Sequence, residues 1–352
     1  MKTIKKTKIM ENTINEMTIL PTGQVISETT MGLDVPYIDA EEVFDNENHP
    51  NFIESNTQAI TLEELTSKNI IPTFGDNTLT ISHQSFIGAV TKVAEQVFGE
   101  LKPVECRVSH PIIGRIPSAQ HKKANELRED EKTIFYQRMA FVAHVKNLTR
   151  TINGQTVHLV VGGVRGYNED KLYNRASSMK FRIFVGWQVR VCSNLCLTTD
   201  GYSGTIDCMT EADIMQKSFE LFNAFNPNKG NTLQLLENLH STQISEEQFC
   251  NIIGRMRLYQ YLPNNEQRQL PLLTIGDQAV NAMVKNYVTN PNFGKKTGEI
   301  TCWNLLQFAN EAVKASYIDS WLDRNKNCTD FAIGIQKALQ GNDKEGYSWF
   351  LN

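Results

Sequence analysis

The 352-residue chain has no run of about 18 apolar residues, the minimum that carries a helix across a bilayer. Its N-terminal stretch, Met1 to Leu20, is polar and holds Lys2, Lys5, Lys6 and Lys8, so it lacks the apolar centre of a secretory signal. The seven cysteines are scattered and odd in number, which excludes a disulfide framework and suits a reducing cytoplasm. No HExxH, GxSxG or GxxxxGK[ST] pattern occurs, and no carboxylate pair stands out as a general acid and base. No internal repeat or low-complexity tract is present. These absences leave no legible reaction, and the expected class is a non-enzymatic cytoplasmic protein without metal or cofactor.

What the chain does have is an uneven distribution of charge. The formal net charge is only −4. Residues 1–101, however, hold 6 Lys+Arg against 15 Asp+Glu, whereas residues 102–190 hold 16 against 7. The remainder holds 13 against 17. A basic block attracts polyanions whatever the fold that carries it.

The order of patterns predicts an α+β chain: a central antiparallel β-sheet region followed by a helical C-terminal third. Residues 1–50 are acidic and aperiodic and are expected to be a disordered leader. Residues 51–205 form the expected α+β domain with a basic sheet, and 206–352 the helical region. Thr61-Leu-Glu-Glu64 and Ser245-Glu-Glu-Gln248 are capping boxes. Ser82 starts a helix that Gly99 closes, and Thr210 starts another. Ile70–Phe74 is expected to be extended, and Ser118–Arg128 a short polar helix. Asn153-Gly154 is a two-residue hairpin turn between β-rich runs. It would place His144, Lys146, Leu148 and Arg150 on one face with Val157, Leu159 and Val161. After Gly204 the expected pattern is helical to the end, the last helix running from Thr329 to Leu339.

Residues 179–191 alternate. Met179, Phe181, Ile183, Val185, Trp187, Val189 and Val191 point one way, and Lys180, Arg182, Phe184, Gly186, Gln188 and Arg190 the other. Antiparallel sheets often keep one face wet, so Lys180, Arg182 and Arg190 would form a phosphate-binding row with Phe184 as a stacking surface. Arg165 and Tyr167, with Tyr173 and Arg175, mix cations and aromatics as single-stranded nucleic acid requires. The candidate nucleic-acid residues are therefore Lys146, Arg150, Arg165, Tyr167, Tyr173, Arg175, Lys180, Arg182 and Arg190. Each has a plainer reading, a solvated sheet face or an ordinary polar loop. Gly162-Gly163-Val164-Arg165-Gly166 lacks the following helix that a dinucleotide fingerprint needs. Cys192 and Cys196, with Cys208 and Cys106, lack the paired spacing of a metal site. Cys192 as a nucleophile beside His110 or His158 has no local signature, and buried thiols are the simpler account.

Two segments resemble a known family. Phe181–Thr199 (FRIFVGWQVRVCSNLCLTT) is similar to a VRVVCSNTL-type segment of the uncharacterised phage/plasmid-like protein family. Thr301–Ala312 (TCWNLLQFANEA) resembles that family's C-terminal taWgllNAvte-type helix. From about Asn51 onward the chain resembles a related family of unknown function carried by bacteria and their mobile elements. Leu195-Cys196 departs from the usual Thr-Leu, and Gln307-Phe308 from the usual small Asn-Ala pair. The resemblance implies a cytoplasmic protein of a phage, plasmid or integrative element and supplies no catalytic residue. Together with the charge pattern, it leads to an expectation of single-stranded DNA binding or annealing in recombination or replication, with homo-oligomerisation and no membrane. The alternative is a protein-interaction module, such as an element-encoded inhibitor that binds a host defence protein.

Overall fold

The computed structural model describes residues 18–19, 25–26, 50–68, 71–72, 78–115, 117–119, 121–171, 177–227 and 231–352. The chain divides into two units, residues 1–43 and 44–352. In the first, strands β1 (Thr18–Ile19) and β2 (Val25–Ile26) pair antiparallel. The rest of the expected leader up to residue 49 lies outside the described residues, as does most of the extended piece expected at Ile70–Phe74.

The second unit opens with β3 (Thr57–Ala59) and α1 (Leu62–Lys68). Thr61 and Glu64 cap α1 reciprocally: the Glu64 N–H donates to Thr61 Oγ1 at 3.1 Å, and the Thr61 N–H to Glu64 Oε2 at 3.4 Å. Helix α2 (His83–Phe98) starts where the Ser85 N–H donates to Ser82 Oγ at 2.9 Å, and ends on Gly99 at φ 94°. Its buried stripe is Phe86, Val90, Val93 and Ala94, the apolar spacing read from the sequence. Strands β4 (Glu105–Ser109), β5 (Ile112–Arg115), β6 (Lys132–Tyr136), β7 (Met139–Ile152), β8 (Gln155–Arg165), β9 (Met179–Val189), β10 (Leu195–Cys196) and β11 (Tyr202–Cys208) follow. The main sheet is antiparallel in the order β10-β9-β8-β7-β4-β3, with β11 also on β9. β5 and β6 pair separately.

The hairpin turn sits where the sequence placed it. Ile152 pairs with Gln155, and Asn153 (φ 52°) and Gly154 (φ 75°) take the left-handed conformations of a type I′ turn. The facing pattern further along β7 is different from the expected one. A bulge between His144 and Thr149, with Asn147 at φ 61°, uses several residues of β7 against few of β8. Arg150 stays opposite Val157, but His144 falls opposite Val160, on the other face from Val157, Leu159 and Val161. A single bulge reverses facing because strand side chains repeat every two residues.

Three further expectations are corrected. Ser118–Arg128 is not a helix but a string of 3-10 turns at Pro117–Ala119, Ala124–Glu126 and Glu129–Glu131. It has no apolar stripe to bury, so little favours a longer helix. Strand β11 (Tyr202–Cys208) runs on to 208, three residues past the expected boundary at 205. The last helix begins eleven residues earlier than expected. The helices are α3 (Glu211–Ala224), α4 (Asn231–Asn238), α5 (Glu246–Tyr259), α6 (Asn264–Gln267), α7 (Asp277–Thr289), α8 (Cys302–Val313) and α9 (Ile318–Leu339). The start of α9 is rich in Asp, Asn and Ser, poor helix formers that tertiary burial overrides here.

Packing explains why the sheet is not half wet. On one face Phe181, Ile183, Val185, Trp187 and Val189 meet α2 and α3 through Phe86, Val90 and Phe222. The same core continues into Phe249 and Phe308, so sheet and C-terminal helices share it. On the other face Ala140, Val142, Val160, Val164 and Phe184 meet Ile318, Trp321 and Leu322 of α9, together with Phe52 and Ile53. Phe184 and Trp321 stack edge to face with centroids 5.9 Å apart. Gly186 and Gln188 are buried as well.

The glycines in the middle of β8 belong to this packing. A Cβ on Gly162 would lie 2.7 Å from the Phe184 ring and 2.2 Å from the Phe141 carbonyl oxygen. A Cβ on Gly163 would lie 2.6 Å from the Phe86 ring. An aromatic ring presses on β8 from each side. Gly163→Ala is expected to lower the unfolding free energy by about 1–3 kcal/mol through overpacking. Urea denaturation checks this, and an unchanged midpoint would refute the account.

Candidate nucleic-acid interface

The predicted basic residues separate into two groups at opposite ends of β9. At its beginning lie Arg165, Tyr167, Lys180 and Arg182. Arg165 ends β8, and its side chain is fully buried. Its guanidinium donates to Asp170 Oδ2 at 3.2 Å and to the Ile81 carbonyl. It also lies 4.6 Å from the Tyr167 ring centroid and 4.4 Å from that of Phe181. Tyr167 is 2 % exposed and stacks on His83 at 4.2 Å, and its hydroxyl accepts the His83 backbone N–H at 3.0 Å. Tyr167 thus satisfies an orphan donor in the first turn of α2.

Arg182 is held by Glu169 at 3.0 Å and faces Asp323 at 3.8 Å. Lys180 lies 3.7 Å from Asp207. Arg138 pairs with Asp319 at 2.7 Å. Four cations here meet five carboxylates: Glu169, Asp170, Asp207, Asp319 and Asp323. Along the expected phosphate row of residues 180–190 and its neighbours, several side chains are engaged within the protein. Arg165 and Tyr167 are interior, Arg182 is ion-paired across the layers, and Phe184 lies under Trp321 instead of offering a stacking face. Tyr173 and Arg175 lie outside the described residues.

At the other end, around the β7–β8 hairpin, the balance is reversed. Lys102 donates its backbone N–H to the His144 carbonyl at 2.8 Å, and Lys146 donates its own to the Glu100 carbonyl at 2.8 Å. Arg190 donates its backbone N–H to the Thr156 carbonyl at 3.0 Å. Arg150 stands across from Val157, whose other neighbour is Val189. The Lys146 ammonium contacts Glu100, and Glu105 lies 4.0 Å from His144. Lys102, Lys146 and Arg190 are thus brought together beside Glu100 and Glu105. Burial, and then the Arg190 and Lys146 charges beside it, hold the Lys102 ammonium below the usual lysine range. Lys102 was missed from the sequence because it precedes β4 and joins the group only through the bulge.

The two segments that resembled a phage/plasmid-like family meet in space. The Asn194 amide donates to the Gln307 carbonyl and side chain at 3.2 and 3.1 Å, and Gln307 and Asn310 approach Cys196 Sγ at 3.8 and 3.9 Å. The Lys314 ammonium, buried, contacts the Cys192 carbonyl and Glu311 at 3.0 Å. Ser193 takes a left-handed φ of 55° and donates to the Pro50 carbonyl at 2.6 Å. A family model described as "Domain of unknown function, B. Theta Gene description (DUF3871)" matches residues 38–351. The chain belongs to this family. No curated protein and no solved structure matches it.

In this DUF3871 member the junction is a buried clamp that ties the end of β9 to α8. Burial pushes the Cys192 and Cys196 thiols up to about 12, which disfavours the thiolate that a nucleophile needs at neutral pH. The Cys106 thiol is likewise pushed up to about 12, and Cys208 to about 11. Among the described residues no helix is long and apolar enough to cross a membrane.

Proposed function

We propose that this DUF3871 protein is a non-enzymatic nucleic-acid-binding protein of a phage, plasmid or integrative element, which holds single-stranded DNA at the hairpin end of its sheet. The observation that carries this reading is the local charge imbalance. Lys102, Lys146 and Arg190 are gathered there beside Glu100 and Glu105, while the cations at the other end of β9 are neutralised by their own carboxylates. Ladder and bridge hydrogen bonds fix the backbone of this group, so like charges are held close together instead of spreading into solvent. A line of phosphates relieves that repulsion and releases counterions.

Fluorescence anisotropy with a labelled oligonucleotide tests the proposal. Four phosphate contacts to a single strand give a roughly thousand-fold loss of affinity for a tenfold rise in salt. The double variant Lys146→Glu, Arg190→Glu is expected to weaken binding more than tenfold, and Lys180→Glu to leave it within about twofold. The reading fails if micromolar protein does not bind at low salt. It also fails if the protein co-purifies with a host protein and carries no nucleic acid.

A further inference from the structure

The sheet face that packs on α9 changes character toward the hairpin. Val142, Val160 and Phe184 are buried there with α9. His144, His158 and Gln188 follow on the same face and are still buried. Beyond them the surface is polar and opens to solvent.

The register fixes which side chains meet at that end. Thr151 pairs with Thr156, Thr149 with His158, and His158 with Gln188. Alternation therefore puts Thr149, Thr151, Thr156, Gln188 and Arg190 on one face, and Arg150, Val157 and Val189 on the other. The Arg190 N–H donates to the Thr156 carbonyl at 3.0 Å and extends the ladder between β8 and β9. Lys146 joins from β7 ahead of the bulge, two residues after His144, whose Nε2 lies 2.7 Å from Gln188 Oε1. Thr149 and Thr151 are exposed, and Lys146, Thr156 and Arg190 are half-buried.

These side chains share one chemistry. Lysine, arginine and threonine are residues that contact phosphate and sugar oxygens, and such contacts position a nucleic-acid strand without reading its sequence. Stacking on bases requires aromatic rings. The segments that build this end, residues 100–105, 144–158 and 188–194, contain no Phe, Tyr or Trp. The aromatics of β9 point into the two cores instead, Phe181 and Trp187 into one and Phe184 into the other. Threonine is stiff about χ1, so hydroxyls on a paired ladder are presented at little entropic cost.

We propose, resting on the nucleic-acid reading above, that the hairpin end grips single-stranded DNA by its sugar–phosphate backbone and leaves the bases unread. Lys146 and Arg190 take phosphates by charge complementarity. The hydroxyls of Thr149, Thr151 and Thr156 donate to backbone oxygens between them, and the bases face away from the sheet.

The experiment is fluorescence anisotropy of the full chain with three labelled strands of equal length. One is DNA of mixed sequence, one is homothymidine, and one is an abasic strand that keeps every sugar and phosphate. All three are expected to bind within about twofold of one another and with the same salt slope. A site that stacked even one base would lose about fivefold or more on the abasic strand. Thr149→Val, Thr151→Val keeps shape and β-propensity and removes two hydrogen-bond donors, so it is expected to weaken all three strands by about fivefold. Its salt slope is expected to match the parent's, because no charge is removed. The inference is overturned if the abasic strand binds about fivefold or more weakly than mixed-sequence DNA, or if the threonine variant binds like the parent. Failure of all three strands to bind at low salt sinks the nucleic-acid reading itself, whereas binding that depends on the bases sinks only this inference.

Discussion

Asp170→Ala is expected to lower the unfolding free energy by about 3–5 kcal/mol, the usual cost of stranding one partner of a buried ion pair. Both Arg165 and Asp170 side chains are wholly inaccessible and lie 3.2 Å apart. Burial lifts the Asp170 carboxyl above its usual range even with Arg165 beside it, so the pair has little net Coulombic surplus. Removing the carboxylate leaves a guanidinium that can neither ionise differently nor reach water. It also frees the Lys180 N–H, which donates to Asp170 Oδ1 at 3.0 Å. The double variant Arg165→Met, Asp170→Leu is expected to recover most of the loss, since a buried pair and an apolar replacement of similar volume are often close in energy. Urea denaturation of the two single variants and the double variant measures the coupling. Additive losses would show that the pair does not act as a unit.

The second large effect is a loss of stability in mild acid that depends on His83. Burial, with the Arg165 charge next, lowers the His83 pKa from 6.5 to about 3. The geometry agrees with this direction. Nε2 lies 2.9 Å from the Gln137 carbonyl oxygen, so it must be the protonated nitrogen, and Nδ1 is buried without a partner. Protonating Nδ1 would bury an N–H with no acceptor close to a guanidinium.

The sign follows from the depressed pKa of a base. Above pH 6.5 folded and unfolded chains are both neutral at this residue, and nothing is lost. Between pH 6.5 and about 3 only the unfolded chain takes up the proton, so stability falls as pH falls, by about 1.4 kcal/mol per unit. At pH 5 the loss is about 2 kcal/mol relative to neutral pH. Carboxylates that also titrate in acid contribute a background. The test is therefore the difference in slope between the parent and His83→Gln, whose amide can still donate to the Gln137 carbonyl. Urea midpoints at pH 7, 6 and 5 that run parallel in the two proteins would refute it.

Much of this architecture was legible in local pattern. The capping residues Ser82, Thr210 and Ser245, the turn at Asn153-Gly154 and the buried half of β9 follow from interactions within a few residues. Such interactions are complete before the chain folds back on itself, so the order of residues is enough to specify them. The candidate site was legible only as a quantity of charge. Arg182 and Lys146 are alike in sequence, both cations in β-rich segments. One is neutralised by Glu169 and Asp323 from two different elements, and the other shares a corner with Lys102 and Arg190.

What the sequence determined by itself is therefore the broad order of elements, an antiparallel sheet followed by helices, because periodicity and caps act locally. What only the tertiary structure decided is which faces are wet. The first half of α9, with Phe52 and Ile53, covers the face of β9 that alternation alone would leave to solvent. The bulge in β7 moves His144 to the opposite face, and Asp170 and Glu169 consume the arginines that looked most available. Coverage, register and charge pairing each depend on residues tens to hundreds of positions apart, whose contacts exist only once the chain is folded.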